Sequence, residues 1–249
     1  MIKPQQEPEH FKVEVGDTSQ RPIDSLNIIV VGESGVGKTR LASTTPDPTR
    51  TLVIDSEHGL LSLKKYPVKF VSIADQEDKI AALSRTYLHI KQNINDYDWV
   101  IIDSFTEILD SYLDYQEALE VELAIEQKRN VNGYAHYNAV VAKAKEVIAK
   151  FKMLKVHVVF VCLQSKVIVG DYIVKGPMLP GRTLPSKIGA LFDIVLNMQV
   201  GEVSGEKRRL FQTCINTDAL AKDRSGDLKP WEPAHLGHIL AKIQAGGES

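Results

Sequence analysis

Residues 25–42 read Ser25-Leu26-Asn27-Ile28-Ile29-Val30-Val31-Gly32-Glu33-Ser34-Gly35-Val36-Gly37-Lys38-Thr39-Arg40-Leu41-Ala42. The apolar, β-branched run that ends at Val31 has the composition of a strand buried on both faces. It leads directly into G-x-x-x-x-G-K-T, and helix-compatible sequence follows. Strand, glycine-rich loop and helix in that order is the context in which this motif binds phosphate. Gly32, Gly35 and Gly37 open backbone conformations closed to other residues, so successive N–H groups can converge on one anion. The expected helix adds the positive end of its dipole. Gly32, Glu33, Ser34, Gly35, Val36, Gly37, Lys38, Thr39 and Arg40 are therefore the candidate nucleotide-phosphate site. Lys38 would bring a point charge to the β- and γ-phosphates, and the Thr39 hydroxyl would ligate Mg²⁺.

Outward from the loop, strand-like and helix-like segments alternate. Residues 51–55 read as a second buried strand running into Ser56-Glu57-His58-Gly59, and residues 68–73 as a third. Ile80, Leu83, Tyr87, Leu88 and Ile90 fall on one face with helical period over residues 78–93. Residues 98–104, Asp98-Trp99-Val100-Ile101-Ile102-Asp103-Ser104, are an apolar strand closing on a carboxylate. Two helices follow, an acidic one over 105–128 and a second over 134–154, with a break at Asn130-Val131-Asn132-Gly133. Residues 156–163 read as an apolar strand ending at Gln164-Ser165.

Beyond that point the pattern changes. Residues 166–174 alternate like a hairpin turning at Gly170-Asp171. A loop with Pro177, Pro180, Gly181 and Pro185 comes next. Residues 191–200 and 209–216 read as strands joined by a polar turn over 201–206, and a helix over 233–245 closes the chain. The expected fold is α/β: a mostly parallel central sheet covered by helices, with an antiparallel C-terminal extension. Residues 1–22 carry three prolines and a period-two stretch at residues 11–15, so they are expected to form an arm preceding a domain over 23–249. That arm either covers its own domain or adds a strand to a neighbouring subunit.

Composition narrows the function classes. At 249 residues and 43% hydrophobic content the chain can bury one sizeable core. A net charge of −2 announces no nucleic-acid partner, so any such site must be a local patch. No apolar run approaches ~18 residues, so no membrane span is expected. The polar, proline-bearing N-terminus does not read as a signal peptide. Cys162 and Cys214 show neither metal-ligand spacing nor a disulfide framework, which points to a reducing cytoplasm. His58, His136 and His157 likewise show no metal spacing.

Several residues have the chemistry that a triphosphate site needs. Asp103 either holds Mg²⁺ through water beside the phosphate-loop strand, or caps the following helix in competition with Ser104. Glu57 is the candidate general base for hydrolysis, with Asp55 its rival at the same strand end. Gln164 either senses the γ-phosphate or is satisfied by loop backbone. Lys222 and Arg224 either reach a phosphate across a subunit boundary or form a solvated turn balanced by Asp223 and Asp227. Lys166, Lys175, Arg182 and Lys187, with Tyr172 among them, either grip a single-stranded backbone or decorate a surface hairpin. A GTPase is disfavoured because no N-K-x-D segment is present. A small-molecule kinase is disfavoured by the strand-end glutamate and by the lack of an arginine-rich lid.

Together the pieces resemble the RecA-like ATPase core over residues 26–227. Gly32-Glu33-Ser34-Gly35-Val36-Gly37-Lys38-Thr39 is similar to the RecA phosphate loop, and Leu52-Val53-Ile54-Asp55-Ser56-Glu57-His58 to the stretch ending in its catalytic glutamate. Residues 99–104 resemble the Walker B strand, residues 158–166 the strand whose glutamine leads to the DNA loops, and Ala221-Lys222-Asp223-Arg224-Ser225-Gly226 the finger that acts on a neighbour's nucleotide. The compact form with Pro177, Pro180, Gly181 and Arg182 looks most like the short bacteriophage RecA-like ATPases of single-strand annealing and recombination. The resemblance implies ATP and Mg²⁺ as cofactors and single-stranded DNA as partner. It also implies a homo-oligomeric ring or filament, catalytic roles for Lys38, Glu57, Gln164, Lys222 and Arg224, and work beside a single-strand-binding protein. The alternative is a nucleotide-gated interaction factor such as a helicase loader.

Overall fold

Strand β1 (Asn27–Gly32) is buried at every position, as its apolar run predicts. A computed structural model describes residues 25–131, 135–181, 183–214 and 218–246. The arm expected at residues 1–22, the end of the break before the second long helix, and Arg182 lie outside the described residues.

The other strands are β2 (Thr51–Asp55), β3 (Lys69–Ser72), β4 (Trp99–Asp103), β5 (His157–Val169), β6 (Tyr172–Pro177), β7 (Ile194–Val203), β8 (Glu206–Gln212), β9 (Lys222–Asp223) and β10 (Trp231–Pro233). The helices are α1 (Lys79–Gln92), α2 (Phe105–Glu126), α3 (Ala135–Lys152), α4 (Thr183–Lys187) and α5 (Leu236–Gln244). Across the sheet the order is β3-β2-β4-β5-β1-β7-β8-β10. From β3 to β7 the neighbours are parallel; β8 and β10 continue antiparallel, and β6 and β9 add antiparallel partners to β5 and β7. The mixed α/β architecture expected from the alternation of segments is therefore present.

The two faces of β1 show how the core is divided. Ile29 and Val31 join a cluster with Phe105, Ile108, Val147 and Phe160 beneath α1, α2 and α3. Ile28 and Val30 face the opposite cluster, with Val36, Leu41, Phe211, Leu236 and Ile239. Phe160 centres the first layer, edge-on to Phe105, Phe151 and Phe192 at 5.0, 6.1 and 5.3 Å between ring centroids. Burying each such ring contributes on the order of 1.5–3 kcal/mol, so this stack anchors β5 under the site. Among the described residues no helix is long and apolar enough to cross a membrane.

Four local expectations need correction. β4 does not lie beside β1, because β5 is inserted between them. β5 does not end at Gln164: its pairing with β1 stops at Leu163, β6 takes over at Gln164, and the backbone groups of residues 164–169 keep partners. The segment after the phosphate loop, Thr39–Thr44, is a 3₁₀ helix and not an α-helix. There the hydroxyls of Ser43, Thr44 and Thr45 bond back to the carbonyls of Arg40, Leu41 and Ala42, and Pro46 has no N–H to continue a ladder. The turn expected over 201–206 is tighter, because residues 201–203 pair with 206–208. Only Ser204 and Gly205 turn the chain, both at positive φ as a two-residue hairpin requires.

Candidate active site

The parallel strands deliver their C-terminal ends to one rim, where the phosphate loop follows β1. Lys38 is only 8% exposed, and its Nζ donates to the carbonyls of Gly32 (2.9 Å) and Glu33 (2.8 Å). Burial lowers its pKa, against the pull of Asp103 and Glu57. An ammonium held this way can exchange two carbonyls for phosphate oxygens without being newly desolvated. Arg40 lies on the exposed side, its guanidinium bonded to the Tyr66 hydroxyl at 2.9 Å and 5.8 Å from the ring centroid.

Asp103, at the end of β4, reaches the loop although its strand is one removed. Its pKa is pushed up to about 6, first by burial and then by Glu57 and Asp55, while the Thr39 side chain that bonds to it and Lys38 oppose the shift. A hydroxyl and a buried carboxyl brought together, with two further carboxylates nearby, form an oxygen donor set suited to Mg²⁺. Thr39 and Asp103 are the residues that would hold it. The capping alternative for Asp103 is resolved: the Ser104 hydroxyl caps α2 by accepting from Glu107 N at 3.2 Å.

Glu57 leaves the end of β2, next in the sheet to β4. Its side chain accepts a hydrogen bond from the Ser104 hydroxyl. The two strand ends are laced together, since Ser56 N donates to Asp103 O (2.9 Å), Ser104 N to Ser56 Oγ (2.9 Å), and Ser56 Oγ to Ser104 O (3.1 Å). Asp55, the rival base, is 4% exposed, and its Oδ1 accepts from the backbone of Glu57 (3.2 Å) and Gly59 (3.1 Å). It shapes the turn that presents Glu57. Lys79 braces the same corner from α1, bonded to Glu107 (2.6 Å) and to Ser56 O (3.2 Å). The Ser56–Ser104 lacing was not legible in the sequence, where Ser56 read as the residue after a strand and Ser104 as a strand end or helix cap.

Gln164 marks the change of partners along β5. Its Nε2 donates to Glu33 Oε1 in the phosphate loop (3.3 Å), and its Oε1 accepts from Asn197 Nδ2 (3.2 Å). Gln199 then links Asn197 (3.1 Å) to Gln212 (3.2 Å), giving a row of side-chain amides across the sheet. Gln164 is thus held by side chains and not by loop backbone.

Lys222 and Arg224 are held within their own chain by the segment before β7. Lys222 Nζ donates to the carbonyls of Gly189 (3.0 Å) and Phe192 (2.7 Å), and Arg224 pairs with Asp193 at 2.8 Å. Their contacts tie β9 to the segment before β7 and not to the phosphate loop of the same chain. Asp223 does not balance them, since it accepts from Ser225 N and Oγ. Lys166 stands directly opposite Lys175 in the β5–β6 hairpin, and Lys187 is exposed at the end of α4.

One cation at the site was missed altogether. Arg209, on β8, bonds through Nε to Val36 O in the phosphate loop at 2.8 Å. A Cβ on Gly37 would lie 2.6 Å from that Nε, and Gly37 has φ +104°. Substituting Gly37→Ala is therefore expected to strain the loop by about 1–3 kcal/mol, seen as a lower melting temperature and weaker nucleotide binding. An unchanged melting temperature and affinity would contradict this placement of Arg209.

Residues 24–225 match the family model of the AAA domain. No curated protein matches the chain.

Proposed function

The chain belongs to the AAA domain family of P-loop ATPases, and we propose that it spends ATP hydrolysis on single-stranded DNA, as a RecA-like homo-oligomer with nucleotide at subunit interfaces. In this reading Lys38 neutralises the β- and γ-phosphates, and Thr39 and Asp103 are the residues that would hold Mg²⁺, which would supply Lewis-acid charge for phosphoryl transfer. Glu57 takes the proton of the attacking water as the new P–O bond forms and the bond to the β-phosphate oxygen breaks, giving ADP and phosphate. Gln164 exchanges Glu33 for the γ-phosphate. Lys222 and Arg224 leave their own chain's carbonyls and Asp193 for a neighbour's nucleotide.

The observation that carries the DNA reading is the position of the β5–β6 hairpin. Its first paired residue is Gln164, which also touches the phosphate loop, so the loop contacts the root of the hairpin directly. Lys166 and Lys175 face each other across it, a like-charge pair that costs stability unless an anion bridges them. Tyr172, 66% exposed at the tip, offers a ring on which a base can stack. Annealing or assisted loading beside a single-strand-binding protein fits these features.

The test is ATP turnover during titration with an oligodeoxynucleotide. Turnover should rise several-fold at low salt, and the double substitution Lys166→Ala, Lys175→Ala should remove that increment. The same variant should flatten the slope of log affinity against log salt by about 1.4, two contacts at roughly 0.7 each. No change of turnover and no binding at low salt would contradict the reading. That outcome would favour a nucleotide-gated protein-interaction factor, a second reading supported by Ile168 and Ile173, paired on the lysine face and 69% and 65% exposed.

A further inference from the structure

Arg209 sits where strand alternation puts it. Phe211, two residues along β8, is buried in the cluster that contains Val36, so Arg209 emerges on the same face, beyond the end of β1 and over the phosphate loop. Its Nε donates to Val36 O at 2.8 Å. Its stem fills the space beside Gly37, where a Cβ would meet Cδ at 3.1 Å. Its side chain makes no other hydrogen bond with the described residues. The sequence Lys207-Arg208-Arg209-Leu210-Phe211 shows only a basic strand, and nothing else in the site explains why this arginine turns onto the loop.

The trans peptide supplies the chemistry. In the Val36–Gly37 peptide the C=O and N–H point in opposite directions. A charge-assisted bond that pins the carbonyl outward therefore aims the Gly37 N–H inward, toward the phosphate cradle. The same bond polarises the amide and makes that N–H a better donor. Gly37 must be glycine both for its positive φ and because the Arg209 stem occupies its side-chain space.

We propose that Arg209 is a positioning residue for the nucleotide: from its own chain, it holds the Val36–Gly37 peptide in the conformation that receives phosphate. This rests on the phosphate loop as the nucleotide site and is independent of the DNA reading. A loop conformation required equally by the bound substrate and the transition state contributes uniform binding, so its loss raises KM and leaves kcat in place.

The experiment compares Arg209→Ala, Arg209→Met and Arg209→Lys with the parent protein, using a fluorescent ADP analogue, steady-state ATP turnover without DNA, and melting of the nucleotide-free protein. Arg209→Ala should weaken the analogue about tenfold and raise KM by the same factor, with kcat within about twofold. Arg209→Met keeps the stem without a donor and should lose as much. Arg209→Lys, which keeps a charged donor, should recover most of the affinity. Melting of the nucleotide-free variants should stay within about 1 °C of the parent, since one exposed side chain contributes little to folding. Unchanged affinity in Arg209→Ala, full affinity in Arg209→Met, or a melting loss that accompanies the binding loss would each overturn the proposal. Failure of the parent protein itself to bind the analogue would instead count against the nucleotide site.

Discussion

Replacing Glu57 by glutamine is expected to lower ATP turnover by roughly 10²–10⁴-fold while nucleotide affinity stays within about threefold. Glutamine keeps the volume of the side chain, and its carbonyl can still accept from the Ser104 hydroxyl. The placement set by Ser56 and Ser104 therefore survives, and only the capacity to take a proton from water is lost. Single-turnover hydrolysis with nucleotide bound to saturation is the measurement. Asp55→Ala provides the contrast, because Asp55 Oδ1 accepts from the backbone of both Glu57 and Gly59 and alanine has no acceptor to replace it. It should disturb the turn, and so reduce stability along with activity. Wild-type turnover in Glu57→Gln would remove Glu57 from the reaction and return attention to Asp55.

Replacing Lys38 by alanine is expected to cost nucleotide binding about 2–4 kcal/mol, roughly 30- to 1,000-fold in affinity. Lys38 is a buried cation in the loop, and its Nζ bonds the carbonyls of Gly32 and Glu33. Its removal takes away the counter-charge to the phosphates. It also takes a favourable neighbour from Asp103, whose pKa near 6 Lys38 helps to hold down. With Lys38 gone, Asp103 should hold its proton to higher pH, and Mg²⁺ should compete for it less well. Equilibrium titration with a fluorescent ATP analogue, with and without Mg²⁺, checks both parts. Undiminished affinity would contradict the phosphate loop as the binding site.

The contrast between what the sequence revealed and what it hid follows the range of the interactions. The phosphate loop was legible because its glycines, lysine and threonine are contiguous, and their order is dictated by one anion. The rim positions of Glu57 and Asp103 were legible because Asp103 closes an apolar strand and Glu57 follows another by two residues, and parallel strands bring their C-terminal ends to a common rim. The insertion of β5 between β1 and β4 was not legible, since parallel pairing joins residues far apart in the chain and leaves no local mark. The 3₁₀ helix after the loop was hidden by helix-compatible residues whose hydroxyls, at Ser43, Thr44 and Thr45, turned back onto nearby carbonyls. Lys222 and Arg224 read as solvated or intersubunit cations because their partners, two backbone carbonyls and Asp193, lie about 30 residues away. Arg209 carried no signal of its own. Its place depends on the register of β8 over a loop 173 residues earlier.

The most direct test of the site is a structure of the protein with Mg²⁺ and a non-hydrolysable ATP analogue. Lys38 Nζ should leave the carbonyls of Gly32 and Glu33 for the β- and γ-phosphates, Mg²⁺ should lie between Thr39 and Asp103, and a Glu57 carboxylate oxygen should stand about 3 Å from a water in line with the γ-phosphate. An analogue bound elsewhere while Lys38 keeps its two carbonyls, or a Glu57 turned away from that water, would contradict it.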